Sequence, residues 1–150
     1  MSTNDVVIKP VTDNISIAGQ VSAAQIARLN ELGFRAVLNL RSPQEEGSLS
    51  DEQTQVEALG LPYVNLPINP QSLNKKLIDE AVGQVNALPK PLLIHCGSAL
   101  RAAFIVMMYR VIYEGLSLEE AKAESTSLGF DLDQKPPLKA AIENYFTAQA

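Results

Sequence analysis

Three side chains with the means to do chemistry fall in one short run, Leu92-Leu93-Ile94-His95-Cys96-Gly97-Ser98-Ala99-Leu100-Arg101, and its His and Cys are the only ones in the 150-residue chain. An apolar run ending in His-Cys, a loop with Gly97 and Ser98, and a second apolar run from Ala102 read as strand, tight loop and buried helix. At such a junction free backbone N–H groups converge with the positive end of the helix dipole and make a site for an anion. Cys96 opens the loop and Arg101 closes it, so the thiol sits among donors and a fixed positive charge that favour the thiolate. A thiolate facing an oxyanion cradle is a nucleophile for phosphorus or sulfur centres. A Cys at a strand end is more often a small buried hydrophobe, but that role does not require an Arg five positions on.

The flanking sequence supplies elements to hold this loop. Val6-Val7-Ile8 reads as a short edge strand. Ile15-Ser16-Ile17-Ala18 alternates in the strand manner and is closed by Gly19. Ser22 and Gln25 form a capping box before Ile26, Leu29 and Leu32, and Gly33 ends that helix. Residues 34–40 are a near-continuous apolar run, the mark of a buried strand. A loop over 41–47 leads to a helix from Ser50 to Leu59, with Asp51 and Glu52 favourable in its first turn. Tyr63-Val64-Asn65-Leu66 is a strand, 67–71 a loop, and Ser72 caps a helix to about Leu88. Residues 92–96 are the central strand. The next helix, about 99–114, is apolar almost all round, and a Ser117–Glu120 capping box opens another to about Leu128. Pro136-Pro137 begins a final helix.

Alternating strand and helix predict an α/β fold with a mainly parallel central sheet flanked by helices. Ligands in such sheets bind at the carboxyl ends of the strands, where His95-Cys96 falls. The length predicts a single domain over 1–150, with 1–13 as a loosely packed amino-terminal segment. Hydrophobic residues make up 46% and charged residues 19%, an ordinary globular balance. The net charge of −5 and a pI near 4.8 argue against nucleic acid or an anionic membrane surface as partner. Neither a signal peptide at Met1-Ser2-Thr3-Asn4-Asp5 nor a membrane-spanning run is read. One Cys and one His are a poor basis for a zinc site, and a lone Cys suits a reducing compartment. The expectation is a cytoplasmic, metal-free protein without a cofactor, whose partner is a phosphate- or sulfur-containing anion in the loop.

The His95–Arg101 stretch resembles the signature loop of Cys-dependent phosphatases. It departs from the tyrosine and dual-specificity pattern in having four residues between Cys and Arg (Gly97, Ser98, Ala99, Leu100) rather than five. It also has Ala99 or Leu100 near the usual mid-loop Gly, and Ala102 where a Ser or Thr normally follows the Arg. The four-residue spacing is shared with single-domain rhodaneses and with the bacterial beta-lactamase-hydrolase-like phosphatase family. The runs 14–22 and 32–41 are similar to the first half of the dual-specificity-phosphatase fold in that bacterial branch, and the similarity extends from about 14 to 130. Rhodaneses share the loop length, but their Gly-His segment is absent.

The resemblance implies a protein-tyrosine/dual-specificity-phosphatase-like fold with Cys96 as nucleophile, Arg101 as anion clamp and His95 bracing the loop. Gly97, Ser98, Ala99, Leu100 and Asn69 are read as substrate-binding, with Arg41, which ends a strand on the ligand side, supporting the rim. Relatives supply an Asp as proton donor from the loop that is 67–71 here. Asn69 stands at that place, and an amide cannot protonate an alkoxide. Asp79, Asp51, Glu45 and Glu46 are the other carboxylates weighed for the role. Three readings follow: a phosphatase working through a cysteinyl-phosphate and biased toward aryl or phosphotyrosine-like esters, a sulfurtransferase forming a Cys96 persulfide, or a non-catalytic oxyanion or phosphoprotein binder.

Overall fold

A computed structural model describes residues 5–148, so the expectation for Met1–Asn4 lies outside the described residues. Five strands form one sheet in the order β1-β2-β5-β3-β4: β1 (Ile8–Pro10), β2 (Ile15–Ala18), β3 (Ala36–Asn39), β4 (Tyr63–Asn65) and β5 (Leu92–His95). β1 runs antiparallel to β2, and the other pairings are parallel. This is the α/β arrangement expected. The helices are α1 (Ala23–Ala27), α2 (Glu52–Ala58), α3 (Lys75–Ala87), α4 (Leu100–Ile112), α5 (Leu118–Ser127) and α6 (Pro136–Ala148), with 3-10 turns at Pro70–Ser72 and Leu132–Gln134.

By internal contacts the described chain divides into two compact units. The first runs to Pro67 and resumes over Leu88–Ala102; the second comprises Ile68–Ala87 and the chain from Ala103. In the first, every residue of β3 and β5 is buried, as their apolar runs require. One face of the sheet contributes Ala18, Val37 and Leu93 to a cluster with Val21, Ile26 and Leu29 around α1 and Val56 of α2. Both the Ser22 and the Ser117 capping boxes are present with both of their bonds. The amino-terminal segment read as loose is engaged from Val6 to Pro10: Val6 exchanges two backbone bonds with the buried Gln25 amide, at 3.2 and 2.8 Å, and Ile8 packs on the cluster.

In the second unit α3 begins later than expected. Pro70 opens a 3-10 turn instead, capped by Asn69, and Asn74 rather than Ser72 accepts a first-turn bond of α3, from Leu77 N–H at 2.8 Å. Arg110 on α4 binds both oxygens of Glu124 on α5 at 2.9 Å. Tyr145 on α6 donates to Asp79 on α3 at 2.6 Å, and Lys75 binds the other oxygen of that carboxylate at 2.7 Å.

Candidate active site

The strand period places the first side chain of the site. Side chains two apart share a face, so His95 stands on the same face of β5 as Leu93, the face covered by α1 and α2. There it meets Glu52, the first residue of α2, with Nε2 and Oε2 2.5 Å apart. Both side chains are buried, at 0% and 2% exposure. Burial by itself would raise the Glu52 carboxyl. The His95 bond and charge, with bonds from Gln20 and Tyr63, outweigh it and hold Glu52 below the ordinary carboxylate value. Tyr63 accepts in turn from Asn39 Nδ2 at 2.9 Å, and burial first of all pushes its phenol up.

Past His95 the chain stays stitched to its neighbours. His95 O accepts from Leu40 N–H at 2.9 Å, Cys96 N–H donates to Ala18 O at 3.1 Å, and Gln20 N–H donates to Gly97 O at 3.3 Å. Gly19 bridges to Ser98, and a Cβ on Gly19 would lie 2.9 Å from Gly97 O, so only Gly permits this approach. The loop then turns through Ala99 at φ +73°, the left-handed region that disfavours a side chain. Leu100 opens α4. Cys96 and Ala99 are buried, while Gly97 and Ser98 face solvent.

Arg101, in the first turn of α4, is gripped by Glu45: Nη1 to Oε2 at 2.8 Å and Nη2 to Oε1 at 3.0 Å. The same carboxylate accepts from Arg41 Nε at 3.1 Å and from Ser42 N–H at 2.7 Å. Glu45 is thereby lowered to about 2, the Arg101 bond contributing most. Arg101 is raised, first by Glu45 and then, against burial, by the Cys96 sulfur beside it. Gly97 lies under both guanidinium groups; a Cβ there would stand 3.2 Å from Arg101 Nη2 and 3.7 Å from Arg41 Nε.

The first unit thus brings together His95, Cys96, Gly97, Ser98, Ala99, Leu100, Arg101 and Arg41. Arg41 is 8% exposed and spends its donors on Glu45, Gln20 (3.0 Å) and Glu46 O (2.5 Å), so it supports Arg101 from behind rather than forming an open rim. Asn69 belongs to the second unit, where its side chain accepts from Gln71 N–H at 3.0 Å. Asp79 is the helix carboxylate of an ion pair there, and Asp51, exposed at the N-cap of α2, accepts from Gln55 at 2.7 Å. Sequence reasoning missed Gln20 and the pairing role of Glu52 altogether. It weighed Glu45 only as an acid, although Glu45 stands four residues after Arg41, a spacing open to an ion pair.

Comparison with known proteins fixes the lineage. Residues 7–111 match the model of the phosphatase-like domain of beta-lactamase hydrolase-like proteins. The chain belongs to this family. The beta-lactamase hydrolase-like protein of Xylella fastidiosa (strain Temecula1) is 26% identical over 128 residues, 83% of this chain and 30% of that protein. The phosphatase-like chain therefore spans about a third of the length of the curated relatives it matches. Among solved structures, a candidate phosphatase of Shewanella putrefaciens superposes with a TM-score of 0.80 at 18% identity, covering 97% of this chain and 94% of that one. TpbA of P. aeruginosa in complex with pTyr gives 0.74 at 18% identity, covering 90% and 82%. At these identities the likeness is one of fold: the domain has the protein-tyrosine-phosphatase-like α/β fold. No helix among its described residues is long and apolar enough to cross a membrane.

Proposed function

We propose that this phosphatase-like domain hydrolyses phosphate monoesters with Cys96 as nucleophile. The observation that carries the reading is the seating of the Cys96 sulfur beside the Arg101 guanidinium, across a loop that ends at the N-terminus of α4. The Cys96 thiolate attacks phosphorus, the P–O bond to the leaving group breaks, and the oxygen departs with the electron pair and takes a proton from water. Arg101 and the loop N–H groups hold the equatorial oxygens as charge redistributes. Water then attacks the cysteinyl-phosphate, the S–P bond breaks, and phosphate and the thiolate are released.

Among the first unit's carboxylates, Glu45 and Glu52 are held ionised by Arg101 and His95 and are unfit to protonate a leaving oxygen at neutral pH. General acid catalysis is worth roughly 10²–10⁴ in rate, so aryl esters, whose leaving groups need little protonation, are the favoured class. Phosphotyrosine-like substrates fit that preference. A reducing setting would keep such a thiol free.

A second reading, sulfur transfer, is favoured by the four-residue loop and by the pairing of Glu45 with Arg101 and of Glu52 with His95. There the thiolate attacks the outer sulfur of thiosulfate, the S–S bond breaks, and sulfite leaves behind a Cys96 persulfide. Intact mass after brief exposure to thiosulfate, beside phosphate release from an aryl ester, separates the two, with Cys96→Ser as control. Cys96-dependent phosphate release without sulfur gain supports the phosphatase. A stable gain of one sulfur with no phosphate release overturns it, and silence in both leaves an anion binder.

A further inference from the structure

The two groups that flank the loop, His95 before Cys96 and Arg101 after it, are joined behind it by one continuous chain of contacts. His95 pairs with Glu52 at 2.5 Å, Glu52 Oε1 accepts from Gln20 Nε2 at 3.0 Å, and Gln20 Oε1 accepts from Arg41 Nη1 at 3.0 Å. Arg41 Nε binds Glu45 at 3.1 Å, and Glu45 grips Arg101 with both oxygens. Its members come from separate segments: Gln20 from the turn after β2, Arg41 and Glu45 from the loop after β3, and Glu52 from α2.

We infer that Gln20 is a positioning residue of the active site, the link through which the His95–Glu52 pair behind the loop and the Arg41–Glu45–Arg101 cluster beside it are held in one geometry. This rests on the assignment of Arg101 as the anion clamp. The chemistry of the position asks for an amide. Gln20 must accept from a guanidinium with one atom and donate to a carboxylate with the other, and its second N–H satisfies Val21 O at 3.0 Å. A Glu at this place could serve Arg41 but would set a second carboxylate against Glu52; a Lys would do the reverse. The Gln20 backbone is fixed to the same loop, donating its N–H to Gly97 O, so one residue holds the loop by its main chain and both charge clusters by its side chain. The titratable and charged groups along and facing the chain of contacts include His95 from β5, Tyr63 from β4, Glu52 from α2, Arg41 and Glu45 from the loop after β3, Cys96, and Arg101 from α4.

The test compares alkylation of Cys96, the only Cys, by iodoacetate and by iodoacetamide. The two reagents differ in charge, so the ratio of their rates reads the placement of the guanidinium, whereas loop opening and thiolate content act on both alike. Wild type favours the anionic reagent, and Arg101→Met abolishes that preference. Gln20→Met, which keeps the length and removes both polar contacts, lowers the ratio about tenfold, the scale of losing a charge-assisted hydrogen bond. Gln20→Glu, which keeps an acceptor for Arg41 but sets a second carboxylate against Glu52, does not restore it. A Gln20→Met protein that melts earlier yet keeps the wild-type ratio overturns the inference and leaves the clamp standing. A ratio indifferent to Arg101→Met overturns the clamp and the inference together.

Discussion

Glu45 holds Arg101 with both carboxylate oxygens, at 2.8 and 3.0 Å, from 56 residues away in the chain. A bidentate Arg–carboxylate pair fixes the plane of the guanidinium as well as its position. It leaves the Nε edge of Arg101 turned away from Glu45. The carboxylate is thus bound up with the orientation of the group proposed to hold the substrate.

That pairing has a pH signature. Glu45 is depressed to about 2 from 4.5, so its contribution to stability is fully present above about 4.5 and is lost as the pH falls toward 2. Urea midpoints between pH 7 and pH 2.5 should decline more steeply for wild type than for Glu45→Gln, the two curves converging at the acid end. Parallel curves would show the pair to be without net weight.

Gly19 predicts a site defect from a single methyl group. A Cβ at 2.9 Å from Gly97 O forces the turn after β2 away from the Cys96 loop. Gly19→Ala should cost about 1–3 kcal/mol in a denaturant melt and lower kcat/KM toward an aryl phosphate by at least about tenfold. Unaltered kinetics would mean that the loop keeps its geometry without this contact.

Ala99 carries backbone strain that can be relieved or worsened. At φ +73° an Ala costs on the order of 1 kcal/mol relative to relaxed backbone. Gly removes that cost but frees the unfolded chain, so Ala99→Gly should gain only a few tenths of a kcal/mol, up to about 0.5. Ala99→Val, β-branched in a buried left-handed position, should lose about 2 kcal/mol or more. Equal denaturation midpoints for Gly and Val would sink this account.

Glu52 faces His95 from within the protein, with 2% of its side chain exposed. Removing one partner of a buried pair leaves the other polar group stranded, at roughly 3–5 kcal/mol. Glu52→Leu is expected to lose about 3 kcal/mol in urea unfolding at pH 7. The loss should shrink toward pH 3, because the Glu52 pKa is lowered in the fold and its stabilisation fades in acid. A loss independent of pH would point to packing alone.

The fold was largely legible because its signals are local. The Ser22 and Ser117 capping boxes, the apolar runs of β3 and β5 and the all-round apolar α4 each declare themselves within a few residues. The Cys96–Arg101 loop was legible for the same reason. The amino-terminal segment was not, because its anchor, the Gln25 amide, lies 19 residues on. Nor were the partners of the loop. Glu52 reads in sequence only as a favourable first-turn charge and Gln20 carries no signal of its own, and only the meeting of β2, β3, β5 and α2 reveals what each one faces. Ser72 misled because it precedes an apolar-periodic run, whereas Pro70 two residues earlier sets a 3-10 turn and hands the cap to Asn74.

The strand order carries a consequence for how the molecule is made. β2 and β3 touch only through β5, which pairs with both. As the chain emerges during synthesis, its first two thirds can form the β1–β2 and β3–β4 pairs, but nothing joins them until Leu92–His95 arrives and is inserted between them. Such long-range parallel pairing is slow to form, and until then the inward edges of β2 and β3 stand open to foreign strands. The segment that closes the sheet is the one that ends in His95 and Cys96. Assembly of the setting of Cys96 and completion of the sheet are therefore a single event, and a nascent chain stalled before β5 has neither.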